Sequence, residues 1–190
     1  MIVMHKEKPY CQELLRPCRI VYRIMNLKTF QIRPLNKDDH EWVTQFLKEY
    51  WGSTEMVTRG RIHKANELPG FTALQDDKAI GLVTYVIEGE ECEITSLNSL
   101  VEEMGIGSAL ISAVVEVAKS ARCNRLWLIT TNNNLKALHF YQKRGLSLVA
   151  VYPNAIEQTR RLKPEIPLVG GDGIPIRDEI ELELLFSEDQ

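Results

Sequence analysis

The sequence predicts an α/β or α+β domain, with helices layered on a sheet. Three observations carry this. Strand-like and helix-like segments alternate from Phe30 onward, two apolar runs meet at a short turn-forming Asp76-Asp77 pair, and one long helical stripe begins directly after Gly105.

In chain order, Phe30 and Ile32 alternate with polar residues before Pro34, as in a short strand. Asn36 can then cap a helix in which Trp42, Val43, Phe46, Leu47 and Tyr50 recur at helical spacing until Gly52. Residues 52–70 lack periodicity and read as a loop. Strands at Phe71–Leu74 and Ala79–Ile87 flank Asp76-Asp77, which predicts a hairpin, and a third strand runs through Cys92–Leu97. Ile106, Leu110, Ala113, Val114, Val117 and Ala121 form one apolar stripe. Leu126–Thr131 is a short apolar strand, Asn134–Arg144 a helix closed by Gly145, and Leu146–Tyr152 another strand. Residues 154–163 read as helical. Prolines and glycines from Pro164 to Pro175 make an irregular loop, long enough to be functional, before the strand Ile180–Phe186, where Ile180, Leu182 and Leu184 alternate with Glu179, Glu181 and Glu183.

The 190 residues are ordinary globular material, 44% hydrophobic and 26% charged. A net charge of −3 gives no basic field for a nucleic-acid backbone, so nucleic acid is excluded as the primary ligand. No apolar run approaches membrane-spanning length and no secretory block opens the chain, so no membrane partner and a cytoplasmic location are expected. Cys11, Cys18, Cys92 and Cys123 show no metal-binding spacing, so free thiols and no metal are expected. The first 25 residues hold Lys6, Lys8, Arg16, Arg19 and Arg23 against Glu7 and Glu13, with little periodicity. The expected division is a weakly ordered extension over 1–28 and one domain over 29–190.

Two motifs carry chemistry. Gly105-Ile-Gly107-Ser-Ala-Leu110 opens a helix after a strand and a short loop; glycines admit close approach, and the free first-turn amides favour an anion such as a phosphate. The spacing and the missing lysine exclude a Walker A loop. The second motif is Asn134-Leu-Lys-Ala137-Leu-His-Phe140-Tyr141-Gln-Lys143-Arg-Gly145-Leu146.

Together these motifs resemble the GCN5-related N-acetyltransferase (GNAT) superfamily from roughly Phe30 to Phe186. The loop reads Glu102-Glu-Met-Gly105-Ile-Gly107, with the family's glycines but acidic residues where it usually carries a basic pair; N-x-x-A-x-x-F-Y-x-K-x-G-[FL] matches at each diagnostic position. The resemblance implies a mixed, mostly antiparallel sheet flanked by helices and splayed at the strand carrying Leu97–Ser99. It implies acetyl-CoA as cosubstrate, its pantetheine arm along Leu97, Asn98 and Ser99, and its pyrophosphate at Met104, Gly105, Ile106, Gly107, Ser108 and Ala109. Asn134 would bind near the thioester, Ala137 would leave room for the cofactor, and Tyr141 would face the sulfur.

An amine attacks a thioester only when neutral, and a lysine-like amine has an ordinary pKa of ~10.4, so a base or desolvation is needed. By resemblance Glu93 is that base, acting through water; the alternative is a strand carboxylate facing solvent. Tyr141 would protonate the departing thiolate. His139 reads more simply as part of a polar helix face, and direct transfer needs no cysteine nucleophile. Trp51, Glu55 and Arg59, with Arg61 nearby, fall where this fold lines its acceptor groove, and a carboxylate or arginine there would suit an amino acid or peptide terminus. The expected activity is direct acetyl transfer to a primary amine of a small molecule or peptide. A non-catalytic acyl-CoA-binding sensor or structural domain is the alternative, and a homodimer is left open.

Overall fold

The computed structural model describes residues 29–186. The expected 1–28 extension therefore lies outside the described residues. The chain runs β1 (Gln31–Pro34), α1 (His40–Trp51), β2 (Glu55–Thr58), β3 (Arg61–Lys64), β4 (Gly70–Gln75), β5 (Lys78–Glu88), β6 (Glu91–Ser99), α2 (Ile106–Ser120), β7 (Arg125–Thr131), α3 (Leu135–Gln142), β8 (Ser147–Tyr152), α4 (Ala155–Leu162) and β9 (Glu179–Leu185).

Local signals set many of these boundaries. Asn36 accepts from the Asp38 amide while the Asp39 carboxylate accepts from the Asn36 amide, a reciprocal cap on a short 3-10 turn leading into α1. Gly52, with φ of 73°, closes α1 in the left-handed region. Asp76 and Asp77 both have positive φ and join β4 to β5 in the tight hairpin expected of them.

Seven strands form the main sheet in the order β1-β4-β5-β6-β7-β9-β8. Every pairing is antiparallel except β6 with β7. The fold is thus the expected mixed, mostly antiparallel sheet. On one face α2 and α3 bury Ile106, Leu110, Val114, Ala137 and Tyr141 against Val83, Ile94, Leu97 and Leu128. On the other, Val43, Phe46 and Leu47 of α1 pack with Met56, Ala65 and Leu82 in a second core.

Residues 52–70 are a correction to the sequence reading. They fold as the β2–β3 hairpin, with Thr58 paired to Arg61 across Arg59-Gly60. The strands are only four residues each, too short to give a visible period. Tertiary contacts hold the hairpin instead, because Met56 is buried in the second core and the Arg59 amide donates to Glu179 of β9.

The parallel ladder between β6 and β7 ends early. Pairing runs from Glu91 with Arg125 to Ile94 with Leu128 and then stops, although both strands continue. On its other side β6 stays paired to β5 as far as Ser99 with Gly81, through a bulge that leaves Thr95 as the extra residue. The two central strands therefore splay, and beyond Ile94 the β7-facing edge of β6 has no strand partner. No described helix is long and apolar enough to cross a membrane.

Candidate active site

Two openings flank the splay. On the α2 face, a cleft of 380 Å³ is lined by Leu97 and Ser99 of β6, Glu102, Gly105 and Gly107 of the following loop and helix start, and Arg144 beyond α3. Gly105 caps α2 with φ of 77°, a conformation that disfavours a side chain, and the space about its missing Cβ is open. Gly107 lines the cleft and also has a packing role. A Cβ there would come within 2.7 Å of the Phe140 ring, so the residue is small to seat α3 against α2.

Arg144 is the basic group of this cleft. Its Nε donates to Ser108 Oγ at 2.8 Å, its Nη1 to the Phe140 carbonyl at 2.7 Å, and the guanidinium lies 3.4 Å over the Phe140 ring. It lines the same cleft as exposed Glu102 and Glu103, so the segment after α3 supplies a cation where the loop itself is acidic.

On the opposite face the hairpin and α4 roof a cavity of 190 Å³, lined by Trp51, Thr58, Thr95, Thr130, Ile156 and Lys163 among others. The Trp51 indole donates to Asn98 Oδ1 at 2.5 Å. Beside it is a more polar recess lined by Thr58, Arg59, Glu88, Glu93 and Trp127.

Glu93 is 3% exposed, so it is not a solvent-facing strand carboxylate. Burial pushes its pKa up to about 7, with Thr58 and Arg61 offsetting part of the rise. Its Oε2 lies 3.5 Å from His63 Nε2, and the same imidazole nitrogen is 3.1 Å from Thr58 Oγ1. Burial and the charge of Arg61 lower the His63 pKa, so the imidazole is held neutral.

Among the described residues, four buried side-chain atoms lack a hydrogen-bond partner: Glu93 Oε1, Asn98 Nδ2, Thr130 Oγ1 and Asn134 Nδ2. Glu93 and Asn98 belong to β6, Thr130 to β7, and Asn134 caps α3 three residues after β7 ends. Buried polar atoms are normally paired. All four lie on the two splayed strands or on the residue that caps the helix following β7.

Residues 31–146 match the profile of the Acetyltransferase (GNAT) family. The chain belongs to the GNAT acetyltransferase family. It is 50% identical over 158 residues to the uncharacterized protein YdhI of Bacillus subtilis, covering 83% of this chain and 96% of that protein. It is 46% identical over 141 residues to YxbD of the same organism, covering 74% and 89%. Among solved structures, the IAA acetyltransferase of Bacillus cereus has the same fold with a TM-score of 0.65 at 21% identity, over 83% of this chain and all of that one. A GNAT acetyltransferase of Elizabethkingia anophelis with acetyl-CoA bound gives 0.59 at 18%, over 83% and 98%.

Within this GNAT domain the expected site residues distribute unevenly. Leu97, Ser99, Gly105, Ile106 and Gly107 line the cleft, while the Asn98 side chain points to the Trp51 side. Ser108 holds Arg144, the Ala109 amide donates to Gly105, and Met104 packs half-buried against the main core. Asn134 accepts from the Ala137 amide at 3.2 Å, which leaves its amide nitrogen as the orphan, and Ala137 is fully buried.

Tyr141 is 1% exposed within the main core. Burial holds its phenol well above the ordinary tyrosine pKa, and Arg144 offsets part of that rise. Of the acceptor-side residues, Trp51 lines the cavity and Arg59 the recess, where its guanidinium lies over both Trp127 and Tyr152. Glu55 is exposed and does not line the cavity, and its backbone carbonyl accepts from Lys163 of the cavity wall. Arg61 pairs with Glu88. Cys92 and Cys123 are buried free thiols; burial pushes Cys92 up to about 12 and Cys123 upward, so neither is poised as a nucleophile.

Sequence reading did not single out His63, Thr58, Arg144 or Lys163. The hairpin that carries the first two gives no periodic signal, and the other two become notable only through burial and the neighbours that folding brings.

Proposed function

We propose that the protein transfers the acetyl group of acetyl-CoA directly to a primary amine of a small molecule or peptide. The observation that carries this reading is the splay between β6 and β7, flanked by four unpartnered buried polar atoms and opening to a cleft on one face and a cavity on the other.

The residues of the cleft suit acetyl-CoA. The unpaired β6 edge at Leu97–Ser99 offers backbone groups to an extended amide chain, as a strand would. The first-turn amides of α2, the open space at Gly105 and the Arg144 guanidinium suit a pyrophosphate. When bound, acetyl-CoA supplies an activated acyl carbon whose C–S bond breaks as the C–N bond to the amine forms.

Glu93 takes the proton from the incoming ammonium, directly or through one water. A carboxyl whose pKa is raised to about 7 is matched to that task, since it is a stronger base than an ordinary carboxylate and still ionises as pH rises through 7. His63, held neutral, orients the carboxylate with Thr58. Tyr141 donates to the departing sulfur, and its raised pKa keeps the phenol protonated until negative charge develops beside it. The orphaned Asn98 and Asn134 amide nitrogens are donors that acyl oxygens of the donor substrate can satisfy.

Acetyl-CoA should raise the melting temperature by an amount equivalent to ~2.7 kcal/mol at a hundredfold excess over Kd. No shift in folded protein, together with no binding by calorimetry, overturns the reading.

A further inference from the structure

Resting on the acetyltransferase reading, we propose that Lys163 is the specificity residue of the acceptor cavity and that the acceptor is a small amine carrying a carboxylate on an apolar frame.

Lys163 is 8% exposed, an uncommon setting for a lysine, and it lines the 190 Å³ cavity on the hairpin side of the splay. Its ammonium has three donors, and one is used at 2.9 Å by the Glu55 backbone carbonyl. No ion pair among the described residues includes it. A buried cation without a counter-ion is costly, and burial accordingly draws its pKa down.

The carboxylates nearby do not answer it. Glu179, in the same cavity wall, is 2% exposed but already accepts from Thr159 Oγ1 and from the Arg59 amide. Glu165, also in the cavity wall, and Glu55 are exposed; their charges offset only part of the effect of burial on Lys163, and neither forms an ion pair with it. The remaining wall is largely apolar, with Met56, Ile129, Ile156 and Ile176. Thr130 Oγ1, in the same wall and 2% exposed, is an unpartnered polar atom. An anionic group brought by the acceptor would supply the missing charge to Lys163, while its amine is directed to the splay and Glu93.

Size narrows the class further. Pockets for drug-sized ligands run to about 300–1,000 Å³, so a 190 Å³ cavity takes a small molecule. Amino acids and ω-amino acids combine the two charged ends and the apolar frame in that volume.

The test uses full-length protein and four acceptors: leucine, leucinamide, 6-aminohexanoate and 6-aminohexanamide. Thiol release from acetyl-CoA gives kcat and KM, and calorimetry gives acetyl-CoA affinity. At least one acid should show a KM about tenfold or more below that of its amide. Lys163→Met should remove that preference by raising KM for the acid, with kcat for the amide and acetyl-CoA affinity retained, and Lys163→Arg should keep part of it.

Wild-type protein that acetylates the amides as well as the acids, or a Lys163→Met variant that weakens all four alike, overturns the inference. So does protein that binds acetyl-CoA yet neither binds nor acetylates either acid. Protein that does not bind acetyl-CoA at all overturns instead the reading on which the inference rests.

Discussion

His63 Nε2 and Glu93 Oε2 lie 3.5 Å apart, each less than a tenth exposed, and burial drives both toward their neutral forms. The carboxyl is raised to about 7 and the imidazole lowered from its ordinary value, in both cases chiefly by burial. Thr58, Arg59 and Arg61 face them from the hairpin, with Glu88 from β5. The hairpin thus shields the Glu93 carboxylate, the base of the proposed transfer, from solvent.

This pairing makes stability depend on pH with a definite sign. A glutamate whose folded pKa is raised from 4.5 to about 7 binds more protons folded than unfolded across that window. Its contribution is therefore undiminished below pH 4.5 and is lost as pH rises toward 7, a loss of roughly 3 kcal/mol. His63 acts oppositely, costing stability as pH falls below 6.5, because its folded pKa is depressed. Glu93→Gln should match the parent's stability most closely near pH 4 and gain on it steadily toward pH 8. Urea melts at a series of pH values measure this; a stability difference that is flat with pH would refute the raised carboxyl.

Arg144 should matter to the phosphate end of the donor only. Arg144→Leu is expected to weaken acetyl-CoA by about tenfold or more, the scale of one charge-assisted contact, and to leave acetyl-pantetheine unchanged. Equal losses for both compounds in calorimetry would assign Arg144 to bracing Ser108 and Phe140 instead.

Tyr141→Phe keeps the ring that the core needs and removes the hydroxyl. Acetyl-CoA affinity should stay nearly intact while kcat falls ~10²–10⁴. The fall should shrink with a donor whose thiol leaves more readily. A variant as fast as the parent would mean that solvent protonates the thiolate, and one that loses only affinity would make Tyr141 a binding residue.

Much of this architecture is legible in the chain. The Asp76-Asp77 hairpin and the Ile106 stripe after Gly105 are local signals, and the structure places an element at each; α3 ends at Gln142 rather than at Gly145, which takes φ of 85° in the turn into β8. The splay at Leu97–Ser99 came from the motif resemblance, because nothing in the residues of β6 says where a neighbouring ladder ends. The β2–β3 hairpin is invisible in the sequence because four-residue strands held by distant partners carry no period of their own. For the same reason Glu93 stood between base and surface carboxylate: its burial is conferred by the hairpin. The Glu179, Glu181 and Glu183 run resembles a solvated strand face, yet Glu179 and Glu181 are buried, held by Thr159, Tyr152 and Arg125. Gly107 reads in the sequence as a glycine for ligand approach; in the structure it lines the cleft, and its Cβ space is also taken by the Phe140 ring, a packing role that the sequence does not display.

The most direct test of acetyl transfer at the splay is the rate of thiol release from acetyl-CoA, with and without amine acceptors, in parent and Glu93→Gln proteins across pH 5 to 9. The predicted result is acceptor-dependent release in the parent whose kcat/KM rises through about pH 7 as Glu93 ionises, and a Glu93→Gln rate lower by ~10²–10⁴ without that rise. Tight acetyl-CoA binding with no acceptor-dependent release would contradict the account and leave an acyl-CoA-binding domain in its place.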